Sequence, residues 1–240
     1  GPGTLDSLAV RPPPRGLVLV RQPRAAWMNH AFGFAPGIRP PFPGSGPTNT
    51  AFGGAPGAPA GPKFVMLVRH GQGAHNVHKD YSLKDPELTE RGRLQAEDLR
   101  SNVDLARAEL VVVSPMTRAI QTAQVAWGER PKLPVFLTPL HSERVDEPCD
   151  VGRPKSELEA QFPFLRGWGG WGELPENWML SKAQDRLWRR ERVPAFLAWL
   201  RDRPERRIAV VGHGEFFYGM TEALGSPADL KNCEVKTLML

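Results

Sequence analysis

From Lys63 onward, short wholly apolar runs alternate with stretches in which apolar residues recur at helical spacing. The run "KFVMLVR" (63–69) predicts a buried strand, and "ELVVVS" (109–114) and "RIAVVG" (207–212) predict two more. A short strand is expected around "PVFL" (134–137) and a last one at "EVKTLML" (234–240). Between them, "LTERGRLQAEDLRSN" (88–102) reads as a helix capped by Thr89, with Leu94 and Leu99 facing inward. "MTRAIQTAQVAW" (116–127) reads as a helix with Ile120, Ala123 and Trp127 on one side, and "EFFYGMTEAL" (215–224) as another.

Ser156 with Glu159, and Ser181 with Gln184, have the spacing of capping boxes. The second precedes a long stretch in which Leu187, Trp188, Phe196, Trp199 and Leu200 recur at helical spacing; Pro194, lacking an N–H, should kink or break it. Strands that are apolar throughout and alternate with helices imply an α/β domain. The expected architecture is a three-layer sandwich, a mostly parallel central sheet with helices on both faces. The chain contains no internal repeat.

Residues 1–62 break the pattern. They hold 13 of the 25 prolines and 11 of the 24 glycines, without helical or strand periodicity, and read as a disordered leader or linker ahead of a single domain at 63–240. This segment carries five arginines against one acid, Asp6, so a transit peptide to plastid or mitochondrion is one reading, although it is poor in serine and shows no amphipathic helix. With it set aside, 26 basic and 25 acidic residues remain, so the pI near 9.5 gives little support for nucleic-acid binding. No apolar stretch approaches the roughly 20 residues needed to span a bilayer. Cys149 and Cys233 are too few for a disulfide framework or a cysteine-rich metal site, and a reducing compartment, the cytoplasm, is the simpler reading.

The ends of the predicted strands carry the chemistry. The first ends in Arg69, His70 and Gly71; the second in Ser114, with Arg118 four residues on; the third in Gly212, His213 and Gly214. Open α/β sheets bind ligands outside the carboxyl ends of their strands. Two arginines and two histidines on one rim would favour an anion, and a guanidinium fork suits phosphate oxygens. Taken singly, each residue has a plainer reading: a surface or core histidine, a solvated arginine, a turn glycine with positive φ. The joint placement at three strand ends weighs against those readings.

"LVRHGQGAHN", "SPMTRAIQTA" and "VVGHGEF", together with "LTERGRLQA" and "SERVDEPCDVGRPKSELEAQFPFL…LPENW", resemble the histidine phosphatase superfamily, specifically its plant and fungal phosphoglycerate-mutase-like branch. The resemblance spans about residues 63–240. It implies that His70 is a nucleophile forming a phosphohistidine, and that Arg69, Arg118 and His213 surround the transferring phosphoryl group. Asn76 matches the phosphate-contacting asparagine, Gly71 and Gly214 the glycines of the phosphate site, and Gly71 and Gly73 would keep bulk away from the phosphate. Glu143 aligns with the general acid, with Asp146 and Glu147 as its nearest rivals. A phosphatase acting on a small phosphorylated metabolite or phosphoprotein is implied, without cofactor or metal, nucleic acid or membrane.

Some positions depart from that pattern. Gly73 stands where many mutases have Ser or Thr, His75 where an aromatic residue is frequent, and no basic stretch for a second phosphate is visible. Phosphatase activity is therefore favoured over mutase-type transfer; a phospho-ligand-binding pseudoenzyme is the non-enzymatic alternative. Glu215 tunes His213, or disfavours very anionic substrates, or faces solvent at a helix N-terminus. His70, His75 and His78 in "HGQGAHNVH" lack the spacing partners of a zinc motif. The loop "RGWGGWGELPENW" (166–178) is expected to border the site, with Trp168 or Trp171 as candidate substrate contacts.

Overall fold

The computed structural model describes residues 61–129 and 131–240, so the leader reading of 1–62 lies, but for its last two residues, outside the described residues. The order of elements is β1 (Phe64–Arg69), α1 (Ala74–His78), α2 (Glu90–Asp98), β2 (Leu110–Val113), α3 (Thr117–Trp127), β3 (Val135–Leu137), α4 (Lys155–Gln161), α5 (Lys182–Asp185), α6 (Arg192–Asp202), β4 (Arg207–Gly212), α7 (Gly214–Ala223) and β5 (Val235–Met239). The strands form one sheet in the order β3-β2-β4-β1-β5, parallel except for β5, which runs antiparallel against β1 at the edge.

Because strand side chains alternate, one set of apolar runs feeds two cores. Met66, Val68, Val111, Val113, Ala209 and Val211 point to one face and pack with Ile120 and Ala123 of α3 and with the buried tryptophans of the 168–178 segment. Val65, Leu67, Leu110, Val112, Ile208 and Val210 point to the other, against Phe196 and Leu200 of α6 and Phe216 and Phe217 of α7. Burying an aliphatic side chain is worth about 1.5–3 kcal/mol, which is why strands covered on both faces read as continuous apolar runs. The expected three-layer α/β sandwich is what the chain forms.

Several local expectations change. Thr89 caps α2 as expected, its hydroxyl accepting from Gly92 N, but Leu94 is 53% exposed. The helix turns Gly92 and Ala96 toward the protein because its backbone lies against the loop after β1, where no larger residue fits. The long helix expected around Pro194 is broken between α5 and α6, with Pro194 in the first turn of α6, where a missing N–H costs nothing. Leu187 falls in that break and is largely exposed, whereas Trp188, Phe196, Trp199 and Leu200 are buried as predicted.

The Ser181–Gln184 capping box forms. The Ser156–Glu159 one does not: α4 starts two residues earlier than a Ser156 cap would allow, Pro154 holds the cap position, and Ser156 binds Glu176 instead. Trp168, Trp171 and Trp178 are core residues; they fill the gap between the 166–178 segment and the sheet and do not line the cleft described below, which corrects the expected substrate contact.

Candidate active site

The parallel pairing of β1, β2 and β4 brings their carboxyl ends to one edge of the sheet, where the chain leaves at Arg69, Ser114 and Gly212. A cleft of about 400 Å³ opens there. Its floor includes Arg69, His70, His75, Asn76 and Arg118; its rim is drawn from the 143–150 loop, with Tyr81 and Glu215.

His70 is 2% exposed, and its partners settle its protonation. Nδ1 lies 2.7 Å from the carbonyl oxygen of Gly71, which can only accept, so Nδ1 carries the proton. Nε2 lies 3.2 Å from Arg118 Nε, which can only donate, so Nε2 presents a lone pair. Burial, then the charges of Arg118 and Arg69, hold the ring well below the usual histidine pKa, and it stays neutral. Asn232 Nδ2 further pins this residue by donating to the His70 carbonyl oxygen.

Arg118, in the first turn of α3, is 1% exposed and spends its other donors on the 143–150 loop: one terminal nitrogen donates to Cys149 O at 2.8 Å and the other lies 3.6 Å from Asp150. Arg69 donates to Leu230 O at 2.7 Å, while its Nε is buried without a partner among the described residues. Gly71 N donates to Thr122 Oγ1, and Thr122 returns its proton to Arg118 O, so the hydroxyl ties β1's loop to α3.

The two glycines of this loop have reasons of their own. A Cβ on Gly71 would sit 2.4 Å from Gly92 O, and one on Gly92 2.2 Å from Gln72 O. Their small size thus serves backbone approach between the β1 loop and α2, and neither has positive φ. A Cβ on Gly73 would meet the His75 ring at 2.7 Å, so the two departures from the family pattern, Gly73 and His75, belong together. His75 is buried, its Nδ1 lacks a partner among the described residues, and burial with the charges of Arg118 and Arg69 lowers its pKa to about 4. Asn76 Oδ1 accepts from Gly73 N at 3.0 Å, which leaves its amide nitrogen as the group to offer the cleft.

His213 is fully buried behind His70, with ring centroids 5.3 Å apart, and its Nε2 pairs with Ser114 Oγ at 2.8 Å. Its Nδ1 has no partner among the described residues; burial, Arg118 and His70 push its pKa well below the ordinary value. Gly214 opens α7 with the Arg69 guanidinium packed against it. Gly71, His213 and Gly214 come to the same rim but stand behind the cleft's lining residues.

Glu143 also lines the cleft, from the 143–150 loop. Its carboxyl accepts from Arg144 N at 2.9 Å, Phe216 N at 3.1 Å and Glu215 N at 3.2 Å, the last two at the N-terminus of α7. Burial raises its pKa and Asp150 adds to the rise, against the pull of those amides and of Arg118. Its rivals differ: Asp146 is engaged by Arg144 and Lys182, the hydrogen bond from Lys182 being the largest cause of its lowered pKa, and Glu147 is exposed. Glu215 faces solvent beside the cleft, 3.9 Å from Arg189.

A buried pair that sequence reasoning missed holds this loop. Arg192 Nε donates to Asp185 Oδ1 at 2.7 Å, and its terminal nitrogens bind the carbonyls of Leu140, Ser142 and Glu143. Asp185 also accepts from Val145 N. Two opposite charges seven residues apart, flanking the core residue Trp188, are the trace this pair leaves in the sequence; Asn232 and Thr122 leave none that distinguishes them from ordinary loop and helix residues.

The described residues include no set of three or more His, Cys, Asp or Glu groups placed to hold a metal, and the side chain of His78 lies outside the described residues. No helix among the described residues is long and apolar enough to cross a membrane.

A five-stranded α/β sheet with a neutral histidine between two arginines at its carboxyl edge defines a phosphate-handling class. Residues 65–237 match the histidine phosphatase superfamily (branch 1), and the chain belongs to that family. It is 31% identical to a phosphoglycerate mutase-like protein of Arabidopsis thaliana, across 74% of this chain and 84% of that one. It is 37% identical to a probable phosphatase of Schizosaccharomyces pombe over 42% of this chain and 50% of the relative. Among solved structures, an Escherichia coli K-12 protein described as a candidate alpha-ribazole-5'-P phosphatase superposes with a TM-score of 0.51 at 24% identity, covering 73% of this chain and 89% of that one; the likeness is one of fold.

Proposed function

We propose that the protein hydrolyses phosphate monoesters through a covalent intermediate on His70. The observation that carries this reading is the fixed tautomer of His70: Gly71 O holds Nδ1–H, and the lone pair of Nε2 is the one presented where Arg118 reaches. A phosphoryl oxygen entering the cleft takes over the Arg118 Nε–H, which frees that lone pair for the phosphorus. Arg69, Arg118 and Asn76 neutralise or hydrogen-bond the three equatorial oxygens, Arg69 having an Nε without a partner among the described residues, and His213 stands behind His70. Single preorganised donors of this kind are worth on the order of 3 kcal/mol.

Attack forms the Nε2–P bond as the P–O bond to the alcohol breaks. Glu143, whose pKa burial raises, gives its proton to the departing oxygen. The resulting carboxylate takes a proton from water, which attacks phosphorus, breaks Nε2–P and releases inorganic phosphate with neutral His70 restored. Placing the acid on the loop tied down by Arg192 fixes it in the same cleft as the nucleophile.

Rapid quench with a labelled aryl phosphate tests the reading. The wild-type protein should yield an acid-labile, base-stable phosphoenzyme, and His70→Ala should yield none while losing turnover by at least a thousandfold with its far-ultraviolet spectrum unchanged. Turnover retained in His70→Ala overturns the assignment.

A further inference from the structure

We infer that the alcohol portion of the substrate carries no second anionic group: the cleft is built for one phosphoryl group at its floor and an uncharged or cationic body at its rim. This deepens the proposed function and rests on it for where the phosphoryl group sits.

The cleft is lined by three guanidinium groups and five carboxyl groups. The cations are deep: Arg118 is buried and Arg69 partly so, and the latter offers an unsatisfied Nε. The histidines add no charge, since His70 is neutral between its partners and His75 is buried uncharged with an unpartnered Nδ1. The floor therefore matches one dianion.

Outward the sign reverses. Asp150 receives the N–H groups of Asp146 and Glu147 and lies against Arg118, so part of Arg118's charge is already answered. Arg144, the third cation, is answered by Asp146, which Lys182 also contacts. Glu147 has no ion pair at all among the described residues. Glu215 has only Arg189, at 3.9 Å, and Arg189 sits closer to Glu222. A carboxylate or second phosphate on the alcohol would meet Glu147 and Glu215, while the nearest rim cations, Arg144 and Lys182, are already drawn to Asp146. Two unsatisfied buried polar atoms on the floor, against two carboxylates on the rim without close counter-ions, set the direction in which the substrate lies.

Glycerol 3-phosphate and 3-phosphoglycerate make a matched pair, differing by a hydroxymethyl group against a carboxylate. With the full chain at low ionic strength, kcat/KM of the wild type should favour glycerol 3-phosphate at least tenfold, and calorimetric Kd values on His70→Ala should show the same order. Glu147→Gln combined with Glu215→Gln should narrow the ratio severalfold, and 0.5 M salt should do likewise, because exposed charges are screened within about 10 Å already at 0.1 M. Equal or better binding of 3-phosphoglycerate, or a ratio that the double substitution leaves alone, overturns the inference. An aryl phosphate run alongside separates the two claims: if it is not hydrolysed, the phosphatase reading falls, while the Kd ratio still decides the charge preference.

Discussion

Replacing Gly71 with alanine separates two explanations for the glycine that follows His70. If its role were to clear space for phosphate, a methyl group would raise KM and leave the fold untouched. The structure instead puts the new Cβ 2.4 Å from Gly92 O, well inside the closest approach of nonbonded carbon and oxygen, and the obstacle is backbone on both sides. No side-chain rotation relieves it, so the β1 loop and α2 must part. Overpacking of this kind costs typically 1–3 kcal/mol; about 2 kcal/mol, divided by a urea m-value of roughly 2.5 kcal/mol/M, lowers the midpoint by about 0.8 M. The same shift pulls Gly71 O away from His70 Nδ1–H, so kcat should fall as well, since the tautomer loses its anchor. Urea denaturation followed by tryptophan fluorescence, with kcat and KM for an aryl phosphate, reads both effects. Gly92→Ala, whose Cβ meets Gln72 O at 2.2 Å, should behave alike in stability. A Gly71→Ala protein with an unchanged midpoint and only a raised KM would refute the backbone argument.

Other consequences follow from the same contacts. Glu143→Gln should slow esters of poorly leaving alcohols by a hundredfold or more and aryl phosphates far less, and it should remove the alkaline fall in rate that deprotonation of this raised carboxyl causes; equal losses for both ester types would count against Glu143 as acid. His75 and His141, with pKa values lowered to about 4 and about 3, stay neutral when folded but protonate near pH 6.5 when unfolded. Stability is thus fully present above pH 6.5 and declines as pH falls toward those values, by about 1.4 kcal/mol per unit per group, and His70 and His213 act in the same direction. Urea midpoints measured from pH 7.5 to 4.5 that stay level would contradict this. Arg192→Met leaves Asp185 as an unpaired buried charge and should cost about 3–5 kcal/mol. Adding Asp185→Leu should recover part of that stability without restoring turnover, because the carbonyls of the Glu143 loop remain unheld; a double variant no more stable than the single one would show that the charge was not the cause.

The reading of strands was the most secure part of the sequence because a parallel sheet covered on both faces demands unbroken apolar runs, and few other structures do. Helices are legible by their existence and not always by their inner face: spacing alone turns Leu94 inward, but a helix that lies backbone to backbone against a loop turns its smallest residues inward. The tryptophans of 166–178 looked like site residues because glycine-rich aromatic loops can line clefts; their area was needed to close the core beneath that segment.

Composition and pattern by themselves determined the α/β class, the placement of the motifs at strand ends and the expectation that Arg69, His70, Arg118 and His213 converge on one sheet edge, since these follow from periodicity and from where parallel strands end. Only the tertiary structure decided the proton position on His70, the neutrality of His75 and the sign of the cleft's rim. Those depend on which atoms from residues far apart in sequence come within about 3 Å and on how much water is excluded around them, and local sequence pattern encodes neither.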